Sequence, residues 1–278
     1  MKQLNPTPTD LFDTASIMGG LYGDGIIGRP GAFSREWVQR LGQDIAVLFA
    51  EARAQQGGAL ERGPNRFYVE IHPERLSGFA DIVAHPWVTA VCSAVLGPDY
   101  RIVEVGFDVP GPGAMKQPWH RDFAAPPATV EGRRLDSLAF NITTVDVRED
   151  MGPLEVAPGT QWDTWTGDPM FPPPERWERY EQRRARKLPQ MGDISARTAL
   201  TVHRGTANVS QQARPVFVLG VDAPGACNAE RHDLQLTRGY FERLPDEVRK
   251  HLHCRVVDQL EPLVQAHTIE GLLMGTPG

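Results

Sequence analysis

Cysteine is scarce in this sequence: Cys92, Cys227 and Cys254 are odd in number and far apart in 278 residues. They make neither a disulfide framework nor a paired zinc pattern, so a reducing cytoplasm is the expected location. Long apolar runs are missing as well. None approaches the roughly 18–20 residues needed to cross a bilayer, which sets aside a membrane partner. The opening Met1-Lys2-Gln3-Leu4-Asn5-Pro6-Thr7-Pro8 has no apolar core of a secretory signal. Basic charge is in the minority, with 29 Lys and Arg against 35 Asp and Glu and a net charge of -6. Nucleic-acid binders lean the other way, because phosphate contacts dominate their affinity. No nucleic-acid partner is therefore expected, and a small-molecule substrate is. No repeat or low-complexity linker divides the chain, so residues 1–278 are read as a single domain.

Glycine (27) and proline (24) are both plentiful. Both are costly inside helices, so a strand- and loop-rich fold is favoured. Helices are expected mainly in an N-terminal part, about 10–98. From Ser34 to Ala54, apolar Trp37, Val38, Leu41, Ile45, Leu48 and Phe49 recur at helical spacing. Ser34 offers an N-cap there, and Glu36 suits the positive end of the helix dipole. Pro86 to Leu96 reads as a second helix, opened by proline and stopped by Gly97-Pro98. Strand-like segments follow at Arg101–Val109, Ser137–Val147, Leu154–Val156, Ala199–His203 and Pro215–Val221. Short strands over about 100–225 suggest a sandwich or jelly roll, interrupted by an insertion at 162–190. Phe241, Leu244, Val248 and Leu252 would make one stripe on a terminal helix, about 239–253.

The chemistry centres on Trp119-His120-Arg121-Asp122-Phe123. Residues two apart on a strand share a face, so His120 and Asp122 can aim at one point. Alone, His-x-Asp is an unspecific motif. A third ligand is available in His203, placed at the end of an expected strand. Two histidines and one carboxylate make the facial set of non-haem iron(II) oxygenases, with further positions open. Eleven residues beyond His203 stands Arg214, opening an apolar strand. An interior guanidinium needs an anion, and its planar fork suits a carboxylate. 2-Oxoglutarate would meet that need, and His203 and Arg214 are expected on neighbouring antiparallel strands facing one cavity. Asn208 and Ser210 lie between them.

These residues resemble the phytanoyl-CoA dioxygenase family. The likeness is carried by His120-Arg121-Asp122, by Asp146 to Thr160 (DVREDMGPLEVAPGT), by Gly192-Asp193, His203-Arg204-Gly205, Asn208-Val209-Ser210 and Arg214, in that order. It also reaches Leu96 to Tyr100 and the terminal Tyr240-Phe241. The resemblance implies a mainly β fold with flanking helices, a double-stranded β-helix (jelly roll, cupin-like). It implies iron(II), 2-oxoglutarate and dioxygen acting on an unactivated C–H bond. His120, Asp122 and His203 take the metal-ligand role, and Arg214 the cosubstrate anchor. Ser210, Asn141 and Gln117 are either further cosubstrate contacts or side chains that only bond backbone. Two positions depart from the common pattern: Gln161 stands where many relatives have His, and Asn141 where many have Trp. Halogenating relatives lack the carboxylate ligand, so Asp122 disfavours halogenation. Hydroxylation is the default outcome, desaturation, epoxidation, ring formation and rearrangement stay open, and a natural-product substrate is the expected setting.

Arg66, Tyr68, Phe107 and Trp165 are the candidate substrate contacts, against the plainer reading of ordinary strand and packing residues. Trp165, Phe171, Trp177 and Tyr180 either form a lid or pack the insertion onto the domain. The basic run Arg183-Arg184-Ala185-Arg186-Lys187 is either an anion contact or a solvated face. Two alternatives stay open at this point. One is a cupin-like oxygenase that dispenses with 2-oxoglutarate, its Arg214 binding substrate directly. The other is a non-catalytic small-molecule-binding module.

Overall fold

The computed structural model describes residues 12–226, 232–263 and 265. The chain opens with helix α1 (Thr14–Gly23), strand β1 (Ile26–Arg29) and helix α2 (Arg35–Ala54). Strands β2 (Leu60–Glu61) and β3 (Arg66–Glu70) precede helices α3 (Phe79–Val83) and α4 (Pro86–Leu96). Then come β4 (Arg101–Pro110), α5 (Pro127–Gly132), β5 (Ser137–Thr143) and β6 (Leu154–Val156). Helix α6 (Trp177–Arg183) and β7 (Ala185–Arg186) lie within the insertion. Strands β8 (Ile194–Thr198), β9 (His203–Gly205) and β10 (Val216–Asp222) follow. The last elements are β11 (Gln235–Thr237), α7 (Arg238–Arg243), α8 (Asp246–Arg249) and β12 (Arg255–Val257).

The two expected helices form with the expected ends. Ser34 Oγ accepts from the Trp37 amide at 3.2 Å and caps α2. In α4, Pro86 occupies the first turn, and Gly97 at φ 90° ends the helix in a conformation that favours glycine. The terminal helix differs. Pro245 cannot continue a helix, so the stripe is split between α7 and α8. Leu244 and Val248 are still buried there.

Seven strands form one antiparallel sheet in the order β1-β8-β5-β10-β4-β3-β2. The N-terminal part thus supplies three strands to this sheet as well as helices. Residue parity sorts its faces. Phe140, Ile142, Phe217, Leu219, Val105 and Phe107 enter the main apolar core with Leu41, Ile45, Trp87 and Val91 of α2 and α4. Alternate residues (Ser195, Arg197, Ala139, Asn141, Val218, Asp108 and Tyr68) line a cavity on the other face. A smaller sheet, β7-β6-β9, covers that cavity. Residues 117–122 extend it: Gln117 N donates to Gly205 O at 2.9 Å, and His120 exchanges backbone bonds with His203. Two antiparallel sheets facing across a cavity make the jelly roll of a cupin-like fold, with helices on the outer face.

One expected strand is misplaced. Ala199–Val202 form a turn, tied by Thr201 N to Thr198, and His203 opens β9 instead of ending a strand. His203 and Arg214 are therefore not on neighbouring strands. β9 belongs to the smaller sheet, while Arg214 precedes β10 of the larger one.

A candidate metal and cosubstrate site

The cavity has a volume of about 450 Å³. His120, Asp122 and His203 meet on its wall, with one donor atom of each within 4.8 Å of the others. His203 Nε2 lies 3.3 Å from Asp122 Oδ1. Two donors about 2.1 Å from one ion, at right angles, would be about 3.0 Å apart, so the spacing fits adjacent ligand positions. The protein fixes which atoms face the ion. His120 Nδ1–H donates to Pro118 O at 2.9 Å, and His203 Nδ1–H donates to Thr201 O at 2.9 Å. Each ring therefore presents an Nε2 lone pair. Arg197 Nη2 donates to Asp122 Oδ2 at 2.8 Å, which leaves Oδ1 toward the histidines.

Electrostatics prepare the same state. Burial, then the neighbouring His203, pushes the His120 imidazole well below its ordinary pKa. Burial, then Arg197, lowers that of His203. Burial works against the Asp122 carboxylate, yet Arg197 and the imidazoles hold it below the usual range. Two neutral imidazoles and one carboxylate are the forms a divalent metal takes up without displacing a proton. Two nitrogens and one oxygen on one side, with the cavity on the other, fit iron(II) with open positions.

Arg214 lies in the same cavity, 6% exposed. Its Nε donates to Met151 O at 3.2 Å, and no carboxylate pairs with it among the described residues. Burial, then the nearby Arg66, lowers its pKa to about 10. Its fork is thus a buried cation open to a ligand. Gln117 Oε1 accepts from Gly205 N at 2.6 Å, which leaves the amide nitrogen for a ligand. Asn141 lines the cavity from β5, opposite Ser195 of β8. Arg66 is fully enclosed, pairs with Asp108 at 3.1 Å and donates to Thr206 O. Tyr68 OH bonds the Glu104 carboxylate.

Three sequence candidates lie off the cavity. Ser210 Oγ bonds Asn208 Oδ1 at 2.7 Å and Gln212 O at 3.0 Å, holding the turn before Arg214. Phe107 has the parity of the apolar face, and its ring is 6.4 Å from that of Phe49 in α2. Trp165 stacks under Arg121 and bonds Asp168 O. Within the insertion, Tyr180 is buried against Trp119, so these two aromatics pack the segment onto the domain. Phe171 approaches the ligands, its ring 6.2 Å from that of His120. Gln161, at the family's variant position, donates to Tyr22 O and Gly23 O and ties down the end of α1.

Two residues of the site were not anticipated as such. Arg197 carried no motif; only its cross-sheet bond to Asp122 reveals it. Lys187 was hidden in a basic run whose other members face outward. Arg184 pairs with Glu181 and Glu155, and Arg186 with Glu149 and Glu155. Lys187 turns inward.

A jelly roll holding two histidines and a carboxylate beside an open cavity defines the scaffold of a mononuclear non-haem metal oxygenase. The chain belongs to the phytanoyl-CoA dioxygenase (PhyH) family, whose model matches residues 21–216. No curated protein matches it. Among solved structures it is similar to EctD from S. alaskensis with 2-oxoglutarate and 5-hydroxyectoine. That match has a TM-score of 0.64 and 18% identity over 80% of this chain and 79% of the other. It is also similar to SnoK, a non-haem α-ketoglutarate-dependent carbocyclase from nogalamycin biosynthesis, with a TM-score of 0.58 and 19% identity over 82% and 92%. The epimerase SnoN, in complex with Fe3+, α-ketoglutarate and nogalamycin RO, gives 0.56 and 21% over 76% and 83%. At these identities the likeness establishes the fold.

Proposed function

We propose that this protein is an iron(II)- and 2-oxoglutarate-dependent dioxygenase that hydroxylates a C–H bond of a small organic substrate. One observation carries the reading: a buried guanidinium without a carboxylate partner among the described residues, Arg214, shares a cavity with a ready three-ligand metal site. Succinate and carbon dioxide are the co-products, one oxygen atom entering succinate and the other the product. We read residues 1–278 as a single domain of this class and place it in the cytoplasm; Cys92 and Cys254 are free thiols. Natural-product biosynthesis is the proposed setting, as for SnoK.

Iron with 2-oxoglutarate and dioxygen supplies the oxidising power to break an unactivated C–H bond. The chain's residues do the rest. His120, Asp122 and His203 hold the metal, and Arg197 keeps one carboxylate oxygen of Asp122 from turning away. Arg214 binds the distal carboxylate of 2-oxoglutarate through parallel N–H donors. Gln117 and Asn141 offer amide donors between the two. The second sheet screens the site from solvent, which strengthens every charge interaction inside it. Arg66 and Tyr68 stand across β4 from Arg214 and line the space left for substrate.

Adding iron(II) and 2-oxoglutarate without oxygen is expected to produce the visible charge-transfer band of the chelate. Arg214→Ala should weaken the 2-oxoglutarate dependence of that band by about 10- to 100-fold, the worth of a charge-assisted pair. Admitting oxygen should release succinate. No band in the wild type would overturn the reading and leave Arg214 to the substrate of an oxygenase that dispenses with 2-oxoglutarate. A band without succinate in the presence of oxygen and candidate substrates would favour a binding module.

A further inference from the structure

The inner face of the smaller sheet forms two rows. One holds His203 and His120, which pair across β9 and the segment before Asp122. The next is set by the Leu154↔Gly205 pair, by Gln117 N bonding Gly205 O, and by Lys187 N bonding Leu154 O at 2.9 Å. Lys187, Leu154, Gly205 and Gln117 all line the cavity. Two residues along a strand is about 7 Å, so this row lies one step from the metal ligands. Across the cavity, Lys187 Nζ bonds Ser195 Oγ at 2.6 Å. Ser195 is paired with Asn141, and the row beyond holds Thr143 paired with Val216, two residues from Arg214. Lys187 therefore stands between the metal ligands and Arg214.

Charge makes that position informative. Arg197 meets Asp122 and Arg66 meets Asp108, whereas Lys187 and Arg214 have no carboxylate partner among the described residues. Burial, with Arg197 and Arg214 close by, pushes the Lys187 ammonium down to about 7. Two neighbouring cations on the cavity wall, Arg214 buried and Lys187 partly buried, oppose one another. Asp193 near Lys187 and Asp108 near Arg214 offset them only in part, without an ion pair, and an anion between them would complete the compensation.

We infer, building on the proposed cosubstrate, that Lys187 is a second cation for the distal carboxylate of 2-oxoglutarate, held by Ser195 and acting with Arg214. A carboxylate has two oxygens and about four acceptor sites, enough for a guanidinium fork and an ammonium together. Lys187 is thereby a specificity residue: it favours a 2-oxo acid with a distal negative charge over one without.

The test compares two probes by the anaerobic charge-transfer band of the iron(II)-loaded protein. 2-Oxoglutarate carries the distal carboxylate; 2-oxopentanoate has the same carbon count and lacks it. Lys187→Met should raise the Kd of 2-oxoglutarate by about 10-fold or more and leave that of 2-oxopentanoate within about 2-fold. Lys187→Arg should recover part of the difference. Lys187→Gln keeps a donor for Ser195 without the charge and should behave like Lys187→Met, which separates charge from packing. Equal shifts for both probes, or an unchanged Kd for 2-oxoglutarate in both neutral variants, would overturn the inference. A wild type that shows no band fails at the cosubstrate itself. A wild type whose band depends on Arg214 but not on Lys187 fails at Lys187 alone.

Discussion

Replacing Arg197 by methionine tests how far the metal site is prepared in advance. Arg197 is 5% exposed, bonds Asp122 Oδ2 at 2.8 Å and also bonds Thr198 O at 2.9 Å. Removing one partner of a fully buried pair costs about 3–5 kcal/mol, because the other charge is stranded. The Asp122 side chain keeps 30% exposure, so cavity water screens part of that loss. A cost of about 2–3 kcal/mol to the metal-free protein follows, read as a lower urea midpoint at constant m-value. A metal ion neutralises the same carboxylate, so the deficit should shrink when iron(II) is present. Freed of its partner, Asp122 can rotate, and a partner of this kind is worth about 10- to 100-fold in metal affinity. Competition with a chelator measures that factor. Arg197→Lys restores charge but only one of the two bonds and should fall between. Wild-type iron affinity in Arg197→Met would refute the reasoning and show that the carboxylate is held by its histidine neighbours alone.

Other outcomes follow from single contacts. In Gly205→Ala the new methyl would lie 2.7 Å from Arg66 Nη2 and 2.7 Å from Gln117 Oε1. Overpacking of this kind costs about 1–3 kcal/mol, and 2-oxoglutarate binding should weaken with it; an unchanged melting curve and Kd would contradict the close approach. Ser34→Ala removes the cap of α2 and should cost about 1 kcal/mol, or about 2 °C in Tm, without touching ligand affinity. Asp233 is held down to about 2 by Arg255 first, with Gln235 and His72 contributing. A depressed folded pKa means the stabilisation is present above about pH 4 and is lost as pH falls through about 2. Asp233→Asn should flatten stability across that window; since the carboxylate is 49% exposed, added salt should shrink the wild-type difference. A slope unchanged in the variant would place the acid sensitivity elsewhere.

What the sequence showed depended on whether a feature is local. Ser34, Pro86 and Gly97 act within one turn of their own helices, and the helices end where these residues stand. His120 and Asp122 share a face by strand parity alone. His203 and Arg214 were brought to one cavity in expectation and in structure, but by a different path: they approach from opposite sheets, not from neighbouring strands. Phe107 shows the limit of parity. An apolar strand buried on both faces gives no sign of which side is the cavity, and one residue of register moved the candidate from site to core. Pro245 was a legible breaker that the apolar stripe outweighed. Arg197 went unmarked, and Lys187 was not told apart from the rest of its basic run, for a further reason. Each matters through a bond to the opposite side of the cavity, and no spacing along the chain encodes that. In the basic run, alternation sends Arg186 outward to Glu155 and Lys187 inward to Ser195, so neighbours of like charge take opposite roles. Motif spacing thus pointed to the candidate metal ligands and to Arg214, while the distribution of unpaired charge, visible only after folding, adds Lys187 to the proposed anion site.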